Sequence, residues 1–222
     1  MFTVIFEVEP GEGRKDAYLA LAAEMKPVLE SIDGFVDNER FASRGRAGRI
    51  LSLSTWRDEK SVIRWRTEAR HHLTQEKGRF GIFSDYHLRV GEVTADTRPP
   101  QGLSIREQRF DATETGRAKA CTITELEPDD AAALPDGVGG VLHAVGLDPA
   151  APGLVGHDVF ASIYRPGKLL VLGSWAGPEA AGAFGPIPPA ATGMRHRAVR
   201  VIRDYGMFDR RESPQYYPDV VR

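Results

Sequence analysis

The spacing of apolar residues along the chain changes period several times, and each change marks an element. Phe2 to Val8 is β-branched and aromatic and stops at Pro10-Gly11, which predicts a strand and a turn. Beyond the turn, Tyr18, Leu21, Ala22, Met25, Val28, Leu29 and Ile32 recur at three- and four-residue spacing, the signature of a helix with one buried face. Pro27 inside it predicts a bend or a break there, and Gly34 stands where a helix cap is expected. Phe35 to Ala42 and Ile50 to Trp56 read as strands joined by a turn at Gly45 to Gly48. Asp58 is placed to cap a second helix running to about Lys77 and stopped by Gly78, and Tyr86 to Val93 supplies a fourth strand. The order β-α-β-β-α-β is the ferredoxin-like arrangement, with two helices on one face of a sheet. Its other face is apolar and bare, and a second copy of the same sheet is the simplest cover.

The chain contains such a copy. Phe41 to Trp56 aligns without a gap on Phe160 to Trp175, 119 positions on, with eight of sixteen residues identical. They include Phe41/Phe160, Ser43/Ser162, Leu51/Leu170, Leu53/Leu172 and Trp56/Trp175, and Arg49/Lys168 and Thr55/Ser174 keep their chemistry. A match of this quality predicts a duplicated unit. The expected division is a first repeat at 1–95, a linker at 96–117, a second repeat at 118–205 and a C-terminal arm at 206–222. The linker carries Pro99, Pro100 and Gly102, and Leu103 to Phe110 within it has the makings of one short element. In the second repeat, Ile123, Glu125 and Leu126 echo Ile5, Glu7 and Val8, and Val199-Arg200-Val201 echoes Leu88-Arg89-Val90. Its helices look eroded: one shrinks to Pro128 to Leu134, and the other region holds Pro178, Pro186, Pro188 and Pro189. Function is therefore expected in the first repeat.

Composition adds mainly exclusions. A formal charge of −2 gives no reason to expect nucleic acid or an anionic membrane as partner. One cysteine, Cys121, falls inside a strand, where a buried structural thiol is favoured over a nucleophile. No apolar run approaches the roughly 20 residues that span a bilayer, and no secretory pattern opens the chain, so a cytoplasmic protein is the expectation. The six histidines are too scattered to suggest a metal site.

The run Trp56-Arg57-Asp58-Glu59, then Trp65-Arg66, His71, Gln75, Gly78-Arg79, Asp85-Tyr86 and Arg89-Val90, resembles the antibiotic biosynthesis monooxygenase family of the dimeric α+β barrel superfamily. The tail Asp204-Tyr205-Gly206-Met207-Phe208-Asp209-Arg210-Arg211 is similar to a segment that follows such domains. The resemblance implies an α+β fold of two ferredoxin-like repeats packed sheet to sheet as a barrel, here within one chain. It also implies a monooxygenase that needs no cofactor and oxidises a small aromatic, polycyclic phenol or quinol-like compound with dioxygen. Heme-degrading relatives combine an asparagine on the first strand with a tryptophan and a histidine. The single asparagine here, Asn38, is on the second strand, so heme chemistry is less favoured.

Helical periodicity puts Trp65, Ala69 and His72 on one face, whereas the family motif points to His71, six residues after the tryptophan and often following a helix-breaking proline. Both histidines stand as candidates for a base of near-neutral pKa, with Arg66 to stabilise an oxyanion. Trp65, Trp56, Phe41 and Tyr86 are the candidate apolar walls for a small hydrophobic or aromatic partner. The competing reading makes His71 and His72 solvated helix surface and the aromatics core. Strand alternation sets Trp56 with Ile50, Ser52 and Ser54, opposite Leu51 and Leu53, without saying which side faces the barrel. A binding or stress-related module without turnover, a scaffold, and a homodimer of two-repeat chains remain open.

Overall fold

The computed structural model describes residues 1–214 apart from 133, 135 and 185–193. Its elements are β1 (Phe2–Pro10), α1 (Lys15–Ser31), β2 (Phe35–Ser43), β3 (Ile50–Trp56), α2 (Glu59–Thr67), α3 (Ala69–Gly81) and β4 (Phe83–Asp96). After a long connection come β5 (Ala120–Leu126), α4 (Pro128–Ala132), α5 (Gly137–Ala144), β6 (Leu154–Ser162), β7 (Leu169–Trp175), α6 (Pro178–Ala183) and β8 (Arg195–Gly206). The eight strands close into an antiparallel barrel in the order β1-β3-β2-β6-β7-β5-β8-β4. Each half contributes four strands in the same relative order, and the halves meet along a short β2–β6 seam and a long β4–β8 seam.

Strand alternation divides the apolar residues between two layers. Ile5, Phe41, Leu51 and Leu53 from the first half meet Cys121, Ile123, Phe160, Leu170, Leu172 and Val201 inside the barrel. The opposite faces carry Phe2 and Trp56 under α1 and α2, and Trp175 under α5 and α6. Trp56 therefore faces the helices, and the Leu51/Leu53 side faces the barrel.

The two halves carry parallel sets of ion pairs inside the barrel. Arg89 pairs with Glu7, which Arg49 also contacts at 3.1 Å. Arg197 pairs with Glu125, which Lys168 contacts at 2.6 Å. Arg89 donates to Ser174 of the second half at 2.7 Å, and Arg197 to Thr55 of the first at 3.2 Å. Ser43 likewise donates to Asp158, and Ser162 to Glu39. The register pairs Ile5 with Arg89 and Ile123 with Arg197, so the counterpart of Arg89 is Arg197. The tripeptide echo points to Arg200, but Arg200 stands opposite Ala120 in the β5–β8 register and turns to Glu107 and Arg109 in the connection.

Several local expectations change. Pro27 lies within α1, which continues through it to Ser31. Gly34 sits two residues past the cap at φ 87°, and a Cβ there would lie 2.0 Å from Ser61 Oγ, so glycine is needed both for the turn and for the approach of α2. Residues 103–110 form no regular element; Leu103 and Ile105 pack on the barrel interior, and the Gln108 and Arg109 amides donate to the buried Glu92. The first helical region of the second half is two helices, α4 and α5. The second of these, Gly-Val-Gly-Gly-Val-Leu-His-Ala, was hidden by its glycines, yet its Val141 and Leu142 are buried. Pro178 opens the short α6; Pro186, Pro188 and Pro189 lie outside the described residues. Residues 207–214 run beside β4 and the connection, with Met207 bonded to Tyr86 and Arg79 and Glu212 to Thr113; the rest of the arm lies outside the described residues. Among the described residues, no helix is long and apolar enough to cross a membrane.

Candidate active site

The outer face of the first four-stranded half and its three helices enclose a cavity of about 170 Å³. Alternation aims Val4 and Phe6 of β1, Ser52 and Ser54 of β3, and Leu88 and Val90 of β4 at its floor. The buried face of α1 closes one wall with Tyr18, Ala22, Met25 and Leu29. The remaining wall is Val62, Trp65 and Arg66 of α2 with His71, Thr74 and Gln75 of α3.

The wall exists because the helix predicted over residues 58–77 is broken. Glu68 adopts an extended conformation at φ −61° and ψ 129°, ending α2, and its carboxylate accepts the His71 amide at 2.7 Å to cap α3. No proline is needed; capping at Glu68 does the same work before Ala69. The break resets the helical register. His71 folds back onto Trp65 with ring centroids 3.7 Å apart and planes 13° apart, while His72 is exposed. α3 then runs past Gly78 to Gly81, because Gly78 packs where a Cβ would meet the Phe83 ring at 2.5 Å.

His71 Nδ1 lies 2.8 Å from the Trp65 carbonyl. A carbonyl oxygen only accepts, so Nδ1 carries the proton and Nε2 keeps a lone pair. Burial lowers the His71 pKa to about 4, against the Trp65 hydrogen bond and Glu68, which raise it. The imidazole is therefore neutral at physiological pH, not poised near neutrality as expected from the residue type. Burial likewise draws Arg66 below the usual arginine range, pushes Tyr205 up to about 12 and raises Tyr18. Both phenols stay protonated.

The structure does not bring all the sequence candidates together. Trp65, His71 and Arg66 line the cavity. Trp56 lies one layer away, its ring stacked on Trp65 at 6.5 Å and its indole N–H donating to Ser54 at 2.9 Å. Phe41 is fully buried on the barrel side of β2, facing away from the cavity. Tyr86 packs against Phe6 and Phe83 and bonds to Arg79 and Arg210 at the edge of the same half. Asn38, Arg40, Tyr18 and Tyr205 line the cavity and were missed. The β2 alternation held a signal for two of them, since Asn38 and Arg40 share the face opposite Phe41; Tyr205 arrives from the far half, where the tail resemblance named it without a place in the cavity. Asn38 thus reaches the cavity of Trp65 and His71 from β2, its amide donating to Ser52 at 3.1 Å and to the Leu53 carbonyl at 3.0 Å.

Residues 1–77 match the family described as antibiotic biosynthesis monooxygenase. The whole chain aligns with jasmonate monooxygenase ABM of Pyricularia oryzae at 45% identity, covering 98% of this chain and 99% of the relative. The chain belongs to the antibiotic biosynthesis monooxygenase family. The family match spans the floor strands β1 to β3 and the broken helix wall, so most of the cavity lies within it. Among solved structures, an aldoxime dehydratase in complex with butyraldoxime is similar in fold at a TM-score of 0.57 and 13% identity, over 91% of this chain and 79% of that one. An anthrone oxidase-like protein aligns at a TM-score of 0.35 and 16% identity, over 92% of each chain.

Proposed function

We propose that the chain is a monooxygenase whose active site is the cavity between the first sheet and α1–α3, acting on a small, largely apolar molecule with one acidic or enolisable group. The observation that carries this reading is the Trp65–His71 stack, which fixes one imidazole tautomer in an otherwise apolar wall. The flat indole and imidazole suit a ring-bearing substrate, and the His71 lone pair is an acceptor for its proton. A substrate anion formed there is oxidised by dioxygen. An anthrone provides all four electrons itself: its CH₂ becomes C=O and the second oxygen atom leaves as water. Aromatic phenols and quinols form one candidate class; the Pyricularia oryzae relative's name supports a jasmonate-like ketone acid as the other, whose hydroxylation needs an added two-electron donor.

A magnitude constrains the base. Moving a proton from a phenol of pKa about 10 to an imidazole near 4 is uphill by roughly 8 kcal/mol. His71 works as a base only where the anion is stabilised, and Arg66, beside Trp65 on α2, is the cavity-lining cation for that task. The same low basicity favours a second reading, a binding module without turnover. We also infer that the barrel is a duplicated ferredoxin-like unit, 1–95 and 118–205, in which the second half supplies the sheet that a partner subunit would otherwise provide; the parallel ion-pair sets Arg89–Glu7–Arg49 and Arg197–Glu125–Lys168 support this.

Dioxygen uptake and product mass, measured over anthrones, naphthols, hydroquinones and jasmonate with and without a nicotinamide reductant, decide between turnover and binding. Uptake that falls at least about 100-fold in His71→Ala and is unchanged in His72→Ala is expected. Uptake by no substrate, with the protein folded, would leave the binding module.

A further inference from the structure

Arg40 differs from Arg89 and Arg197, the two arginines buried inside the barrel. Arg89 and Arg197 each have a buried Nε without a hydrogen-bond partner, but each meets a carboxylate through its Nη atoms, Glu7 and Glu125 respectively. Arg40 also has a buried Nε without a partner, yet among the described residues no carboxylate lies within 4.0 Å of its guanidinium. It projects from the outer face of β2, opposite Ser52 in register, onto the cavity floor. The group facing it there is neutral: the Tyr18 hydroxyl, which burial keeps protonated against the pull of Arg40 and Ser52. No aspartate or glutamate lines the cavity, whereas two arginines do.

A permanent cation in an apolar cavity is costly without a counter-charge, and the protein provides none at this point. A phenol or ketone is uncharged at neutral pH and leaves the guanidinium uncompensated. A carboxylate is ionised throughout and matches the planar donor fork of arginine in two parallel hydrogen bonds. We propose that Arg40, with the Tyr18 and Ser52 hydroxyls, is the anchor for the carboxylate of a small apolar monocarboxylic acid whose apolar body extends toward the Trp65–His71 stack. This deepens the reading of the cavity as the monooxygenase site and rests on it. It makes Arg40 a specificity-determining residue: acids enter as anions, with their carbon skeleton delivered to His71, and uncharged esters of the same skeleton are disfavoured.

Calorimetric titration of the full chain with 4-phenylbutyrate and 1-naphthylacetate, beside their methyl esters, tests this directly. The acids are expected to bind about 10- to 100-fold more tightly than the esters, the range of a hydrogen bond to a charged group. That preference should vanish in Arg40→Gln and return in part in Arg40→Lys, each checked for a native circular dichroism spectrum. Esters binding wild type as tightly as the acids, or a preference that survives Arg40→Gln, would overturn the anchor and leave the cavity's ligand role standing. The first of these comparisons needs no variant. Binding of none of the four probes to folded wild type would overturn the anchor together with the cavity reading.

Discussion

His71 combines a low pKa with a fixed tautomer, and both follow from its place against Trp65. Its Nδ1 proton is committed to the Trp65 carbonyl, so protonation must occur at Nε2 inside a desolvated wall. The ring's carbon-bound proton signals should show no titration between pH 5.5 and 8 in NMR spectra, with a midpoint near 4. Because the folded pKa lies below the ordinary 6.5, the unfolded chain binds the proton first. The stability contribution is whole above pH 6.5 and is lost as pH falls toward 4, by up to about 3 kcal/mol. Urea denaturation of wild type and His71→Phe across that window should show the difference between them shrinking with acid, since phenylalanine keeps the stack and cannot titrate. A midpoint near 6.5 in the folded protein would contradict the desolvated placement.

At the scale of elements, the break between α2 and α3 governs the site, because it decides which histidine meets Trp65. Glu68 is already extended and its carboxylate caps α3, so Ala69 occupies the first helical position, where an amide is not required by the helix. Ala69→Pro should therefore be accommodated and stabilise the protein by about 0.4–1 kcal/mol, through a less flexible unfolded chain. Thermal melts measure this, and activity should persist. A loss of stability would mean that the segment needs helical continuity there. The break was not legible from periodicity, which carries a helix forward until proline or glycine stops it. It depends on a glutamate side chain reaching the His71 amide and on two rings closing over it.

For the whole molecule, barrel closure places the Arg89–Glu7–Arg49 and Arg197–Glu125–Lys168 pairings in a shared interior, and each half completes the other's hydrogen bonds. Arg89 reaches Ser174, and Arg197 reaches Thr55. Removing one partner of such a buried pair strands the other. Glu7→Leu, which leaves the buried Arg89 without its carboxylate, should cost about 3–5 kcal/mol in urea denaturation. Glu7→Leu combined with Arg89→Met should recover most of it, since an apolar pair of similar volume avoids the desolvation penalty. A double variant as unstable as the single one would assign the cost to packing. Arg49 remains bonded to Glu9 at 2.9 Å in either case, so the comparison isolates Arg89.

The sequence alone set the positions of β3 and β5 to the residue, the Asp58 cap, the burial of Cys121 and the match between the two hairpins. These depend on neighbours two to four positions away, or on identities that survive in the chain itself. Tertiary structure alone decided which side of β3 faces the barrel, since alternation defines two faces without naming the inner one. Phe41 went to the barrel and Arg40, its neighbour, to the cavity for the same reason. The equivalence of Arg89 with Arg197 was settled by the β1–β4 and β5–β8 strand registers, a quantity the linear order does not contain. The candidate site was half legible: Trp65 and His71 come from one contiguous motif, whereas Arg40, Tyr18 and Tyr205 reach the cavity from separate elements that only folding brings together.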